Sequence, residues 1–192
     1  IATDRASNAE TLSKLNTLRQ LAGIGKIEAV KEFMTDFEEA SEKLVLFCHH
    51  LEIQRRLSDP TFARLYSGDN GATRQENVRV FMEEPSCLFM IAGIEVGGVG
   101  HTLTSASHVG LIEQPWTPAK VDQAIARVHR IGQDLPVTVY HFVSENTIDQ
   151  RMIAMIEEKR KTVDALIDGR MDESISIFTE VINSYRKEVG DD

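Results

Sequence analysis

No stretch of this chain approaches the roughly eighteen consecutive apolar residues that a membrane-spanning helix requires. Residues 1–12 carry no basic-then-apolar secretory pattern, and no Met opens them, so the chain is expected to be an excised piece of a longer protein. Cysteine is scarce. Cys48 and Cys87 both lie inside apolar runs, which suits reduced, buried thiols in a cytosol-like compartment better than a disulfide or a metal site. The neighbouring pair His49 and His50 has no second pair of ligands nearby, so no metal site is expected. Positive charge is also in short supply, with 21 Lys and Arg against 30 Asp and Glu and a net charge of −9. That excludes a uniformly basic nucleic-acid binder. The deficit is uneven, however. Residues 31–42 set Lys31 against Glu32, Asp36, Glu38, Glu39 and Glu42, and residues 172–192 set Arg186 and Lys187 against six carboxylates. The remaining body is close to neutral and leaves room for a local basic groove.

A further absence concerns phosphate chemistry. A phosphate-binding loop needs Gly-x-x-x-x-Gly-Lys-Ser/Thr, so that backbone N–H groups cradle phosphates and the hydroxyl holds Mg²⁺. The only candidate is residues 22–30. It contains Gly25 and Lys26, but Ile27 stands where the hydroxyl must be and Gln20 where the first glycine must be. No acidic Asp-Glu-x-His-like box follows an apolar strand either. Ser105 and Ser107 lack the context of a nucleophile elbow.

What is present reads as an α/β domain of ordinary globular composition, 42% apolar and 27% charged. Leu12, Leu15, Leu18 and Leu21 recur at steps of three, predicting a helix over 8–22 that Gly23 and Gly25 break. A second helix follows, with Ile27, Val30, Phe33, Met34 and Phe37 on one face. From residue 43 short apolar runs alternate with helical stretches. Strands are predicted at 43–47, 62–66, 87–92, 108–113 and 136–143. Thr73 with Glu76, and Thr147 with Gln150, have capping-box spacing. Thr117 followed by Pro118 predicts a helix start running to about residue 130. The helix after Thr147 is expected to reach about Ile167 and stop at Gly169, with one more helix over 174–187. Strand–helix alternation implies a parallel sheet with helices on both faces.

The densest chemical signal is QAIARVHRIGQ, residues 123–133. On a helix Gln123, Arg127 and Arg130 would share one face. Two arginines one turn apart suit an oxyanion that gains charge, because a guanidinium donates in a fork and keeps its proton. A solvated basic helix face explains the same spacing. His129 reads as a packing or hydrogen-bonding residue of this segment rather than a general base.

This segment closely resembles the sixth motif of helicase superfamily two, in the Q-A-x-D-R-x-H-R-I-G-Q form of the Swi/Snf ATPases. Further matches occur in the same order over residues 43–169. KLVLFCHH (43–50) resembles motif four, and residues 65–81 the segment after it. EVGGVGHTLTSA (95–106) resembles motif five, and QPWTPAKVDQA (114–124) the connection into motif six. Residues 143–169 resemble the brace helix that follows this lobe, and the Pro-Trp-Thr-Pro form resembles the distal, annealing-helicase branch.

The resemblance implies a RecA-like second lobe over 43–144, a helical attachment or inter-lobe connection over 1–42, and a brace helix with an acidic tail over 145–192. It implies that Arg130 and Arg127 reach ATP held with Mg²⁺ on an N-terminal RecA-like lobe of the same protein, with Gln123 helping to position the nucleotide. Glu95, Gly97, Gly98 and Gly100 would border the nucleotide. His49, Thr104 and Trp116 would lie near the backbone of double-stranded DNA, although a core anchor is an equal reading of Trp116. The implied protein is an intracellular, DNA-associated ATPase, and this piece alone would not hydrolyse ATP. The alternatives are a strand-separating helicase lobe and a non-catalytic docking module. Three departures stand out: Ala126 replaces the motif's usual acidic residue, His101-Thr102 an aliphatic-Asn pair, and Gly93 a frequent Ser.

Overall fold

The computed structural model describes residues 2–97 and 100–165. Gly98, the expected stop at Gly169, the helix over 174–187 and the acidic tail lie outside the described residues. Five strands form one parallel sheet: β1 (Leu44–Cys48), β2 (Ala63–Leu65), β3 (Phe89–Gly93), β4 (His108–Leu111) and β5 (Thr138–His141), in the order β2-β3-β1-β4-β5. The central β1 pairs with β3 on one side and β4 on the other. All five residues of β1 are buried, as a strand covered on both faces requires.

Alternation along the strands divides the core in two. Val45 and Phe47 of β1, with Met90 and Ala92 of β3, face α4 (Gly71–Glu83) and α6 (Pro118–Val128). Leu44, Leu46 and Cys48 face α2 (Ile27–Ala40) and α3 (Leu51–Leu57). The amphipathic stripe of α2 is the one read from the sequence: Ile27, Val30, Met34 and Phe37 are buried, and Val30 is inaccessible. α2 is thus built into the sheet's own core. The long α1 (Ala2–Gly25) pairs with α7 (Ile148–Ala165) through Leu15, Ile148 and Met152. This is the α/β, RecA-like layering that the motifs imply.

Three local expectations are corrected. Gly23 does not break α1, which continues to Gly25. A Cβ at Gly23 would lie 2.2 Å from Ile53 Cδ1, so the glycine permits α1 to approach α3. The cap of α4 is Asn70, whose side chain accepts from Thr73 N–H at 2.8 Å, rather than Thr73 itself. α6 ends at Val128, two residues short of Arg130. At α7 the expected Thr147–Gln150 box takes a variant form. Thr147 accepts from Asp149 N–H, and Gln150 reaches back to Asn146 N–H.

The elbow between α1 and α2 is closed by Lys26, which is 6% exposed. Its ammonium donates to the carbonyls of Ile112 and Phe142 and to Asp149 Oδ2 at 2.5 Å. One side chain thereby ties the end of β4, the end of β5 and the start of α7 to the N-terminal helices. Removing one partner of a buried pair strands the other charge, at about 3–5 kcal/mol. Lys26→Met should therefore lower the urea midpoint strongly, and adding Asp149→Leu should recover part of the loss. Overpacking costs about 1–3 kcal/mol, so Gly23→Ala should lower the same midpoint. Gly25→Ala, where a Cβ meets nothing within 4 Å, should leave it nearly unchanged.

Candidate functional site

Apart from His49 and Trp116, the described residues singled out from the sequence lie on three neighbouring segments. These are the loop after β3, the C-terminal end of α6, and the turn that follows it. α5 (Ile94–Gly97) continues directly from β3 and carries Glu95 on the surface, where it pairs with Lys120 of α6 at 2.5 Å. Gly100 adopts a φ of +74°, a conformation that side chains other than glycine rarely tolerate. Leu103 is inaccessible and anchors the loop in the core beneath α6. Its N–H donates to the Arg127 carbonyl at 2.9 Å, so the loop caps one of the orphan carbonyls at the end of α6.

Gln123 is exposed and Arg127 half-buried on α6, one turn apart as expected. Arg130 does not share their helix. It opens a tight turn closed by Gln133 N–H on the Arg130 carbonyl at 2.9 Å, with Gly132 at a φ of +99°. Its guanidinium donates to Thr102 Oγ1 at 3.0 Å. The pair His101-Thr102, a departure from the motif, thus supplies the acceptor that orients Arg130. Ala126 is exposed on α6.

Gln133 completes the junction and had not been singled out from the sequence. Its Nε2 donates to the carbonyls of Thr104 at 3.1 Å and Ala106 at 2.5 Å, and its Oε1 accepts from Leu135 N–H. The loop carrying Thr102 and Thr104 and the turn carrying Arg130 therefore form one hydrogen-bonded unit. Arg74 of α4 is the other unforeseen member, held by the carbonyls of Tyr66 and Ser67. Burial lowers the His101 pKa, and the positive charges of Arg74 and Arg127 lower it further. Arg74 and Arg127 thus both lie near His101.

His49 lies at the C-terminal end of β1, beside this unit but in a different network. Glu113, 1% exposed, accepts from the N–H groups of His49 and His50 at 2.7 Å each, and contacts His50 Nδ1 at 2.5 Å. Burial favours the neutral acid, but the His50 hydrogen bonds and the nearby Arg19 charge prevail and hold Glu113 below its ordinary pKa. Burial, then the charges of Arg19 and His50, lower the His49 pKa to about 4. His49 is therefore neutral at pH 7.

Trp116 is not on these segments. Its ring lies 4.7 Å beneath the Arg19 guanidinium and packs with Leu15, Ile148 and Met152 between α1 and α7. Arg19, 1% exposed, donates to the Gln114 carbonyl at 2.7 Å. This packing is that of a core anchor. Among the described residues, no group of three or more His, Cys, Asp or Glu side chains is placed to hold a metal ion, and no helix is long and apolar enough to cross a membrane.

Comparison with known proteins agrees with this geometry. The family described as "Helicase conserved C-terminal domain" matches residues 25–132, more than half of the chain. The mouse protein "DNA annealing helicase and endonuclease ZRANB3" is 30% identical over 177 residues, covering 86% of this chain and 17% of that protein. "DNA repair protein RAD5A" of Arabidopsis thaliana is 30% identical over 166 residues, covering 80% and 16%. The chain thus spans less than a fifth of the length of these relatives. Among solved structures, the C-terminal part of the Fun30 ATPase domain superposes with a TM-score of 0.70 at 21% identity, over 86% of this chain and 54% of that one. That likeness shows the fold. On the family match over residues 25–132, the chain belongs to the helicase conserved C-terminal domain family, and its relatives are Swi/Snf-type helicases.

Proposed function

We propose that this chain is the second motor lobe of an ATP-dependent translocase on double-stranded DNA. In this reading Arg130 and Arg127 act on ATP held with Mg²⁺ by an N-terminal RecA-like lobe of the same protein. The observation that carries it is the exposed Arg130 guanidinium, oriented by Thr102 on a turn hydrogen-bonded to the loop after β3. A guanidinium that cannot lose its proton stabilises the charge gathering on the transferring γ-phosphoryl oxygens. Gln123, on the same side of α6 as Arg127, helps to position the nucleotide, and Glu95, Gly97 and Gly98 border it. The sequence has no phosphate loop, so the chain by itself does not turn over ATP.

Gly100 borders the nucleotide with Glu95, Gly97 and Gly98, while Thr104 and His49 meet DNA phosphates rather than bases, which gives grip along a strand without sequence preference. The packing of Trp116 supports an anchoring role, so the phosphate contacts fall to the loop and to His49. The distal branch is supported by the likeness to ZRANB3, a DNA annealing helicase, and to RAD5A, a DNA repair protein. In this reading the intact protein works inside the cell, on DNA.

The deciding measurement is steady-state ATP turnover by the intact two-lobed protein, with and without duplex DNA. Duplex should stimulate the wild type, and Arg130→Ala should reduce turnover by about 10³–10⁵, the range credited to such arginines. Wild-type turnover in the variant would remove the finger assignment.

His49 generates a pH prediction. The unfolded chain takes up the proton near pH 6.5, whereas the folded chain takes it up only near 4. Between those values the unfolded state binds more protons, so stability falls as pH drops through that window. His49→Gln should make the denaturation midpoint less steep in pH between about 6.5 and 4.5 than it is in the wild type. An unchanged slope contradicts a neutral, desolvated His49.

A further inference from the structure

Arg64 puts a charge at a strand position whose neighbour is core. β2 pairs with β3 in register, with Arg64 opposite Ile91, and Ile91 belongs to the core beneath α2 and α3. Paired residues of adjacent strands share a face, so Arg64 projects on the α3 side of the sheet. β2 is the outermost strand, however, and Arg64 stays exposed. It enters a cavity of about 620 Å³ beside α3, lined also by Arg55, Ser58, Asp59, Tyr66 and Asp69. The floor of this groove is fixed. The Ser58 hydroxyl donates to the Gln54 carbonyl at 2.7 Å and bonds the Tyr66 hydroxyl. The Arg64 guanidinium rests 5.1 Å over the Tyr66 ring, a contact that uses its face and leaves its N–H edges free. Among the described residues neither Arg55 nor Arg64 has a hydrogen bond or an ion pair. The two acids of the lining do not neutralise them. Asp59 accepts from the Thr61 N–H at 3.0 Å and the Thr61 hydroxyl at 2.7 Å, and Asp69 from the Tyr66 N–H at 3.3 Å.

We propose that this groove binds an extended acidic peptide of a partner protein, which pairs its main chain with β2 and sets a Glu or Asp carboxylate between Arg55 and Arg64. Guanidinium forks match a carboxylate with two parallel N–H···O bonds. Among the described residues β2 pairs with β3 alone, so the backbone groups along its other margin have no strand partner. Such an edge is a template for an added strand. The charge pattern decides the class of ligand. Two arginines and two carboxylates line the groove. A DNA strand, anionic at every phosphate, would be repelled by Asp59 and Asp69 while it met the arginines. An extended peptide carries its acidic groups only at chosen positions and brings N–H donors between them. The site does not depend on the reading of Arg130.

The test uses the intact protein and a short fluorescein-labelled peptide of alternating Glu and Thr, which sets every Glu on one face when extended. Binding is followed by fluorescence anisotropy, without DNA and with saturating duplex DNA. The same peptide with Gln in place of Glu is the neutral control. The Glu peptide should bind roughly tenfold or more tightly than the Gln peptide, and saturating duplex should leave that binding in place. Arg55→Gln with Arg64→Gln should remove the difference between the peptides. The melting midpoint should stay unchanged, because both side chains are exposed. Lys31→Gln with Arg79→Gln removes the same charge from exposed positions elsewhere, and this variant should bind like wild type. Methylating the backbone nitrogens of the Glu peptide should weaken it, because pairing with β2 needs its N–H groups. Equal affinity for the Glu and Gln peptides, or undiminished binding by the Arg55 and Arg64 variant, overturns the site. Displacement by duplex DNA assigns the arginines to a nucleic-acid path and overturns the peptide reading. Full affinity of the methylated peptide overturns the strand pairing.

Discussion

The lobe depends on one ammonium ion. Lys26 sits at the elbow between α1 and α2 and donates to Ile112 O, Phe142 O and Asp149. A lysine can supply three donors, and here each finds an oxygen from a different element. An ammonium out of water is tolerable only when so surrounded, because desolvation must be offset by close partners. In return the contact brings the elbow between α1 and α2 and the start of α7 to the same end of the sheet. α1 and α7 then meet over Leu15 and Met152, and the Trp116 ring is enclosed beneath Arg19.

The Glu113 carboxylate plays a related part at the end of β1. It gathers the N–H groups of His49 and His50 and keeps the chain turning into α3. Burial, then the Arg19 and His50 charges, leaves His49 uncharged at neutral pH. In the proposed function a phosphate contact at His49 would be that of a neutral donor. Arg74, Arg127 and Arg130 lie instead around the loop after β3. An acidic chain can grip a polyanion when the charges that matter are gathered in one place.

At the arginine turn, mechanics and chemistry share the same bonds. The loop carrying Thr104 is joined to the turn carrying Arg130 through Leu103 N, Thr102 Oγ1 and the Gln133 amide. A displacement of the loop is thus a displacement of the guanidinium. Ala126, which lacks the carboxylate usual in the motif, is exposed on α6, and the Thr102 hydroxyl provides the acceptor for Arg130.

The sequence by itself determined the order and type of the elements, because apolar periodicity is a local property. Five short runs became the five strands, and the stripe Ile27, Val30, Met34 and Phe37 became the buried face of α2. It also determined the family, since the motif strings at 95–106 and 123–133 survive in the chain as written. What it could not determine were contacts between residues distant in the chain. Lys26, part of a false phosphate loop by spacing, is a buried structural cation because Asp149 comes to it from 123 residues away. Gly23 looked like a helix breaker because local propensity says so, and it proved to be the point where α1 approaches Ile53. Arg130 looked like a third helical position, yet the helix ends at Val128 and Thr102 receives its side chain. Each of these outcomes turned on a partner brought in by the fold, and a partner absent from the local window leaves no mark on local periodicity.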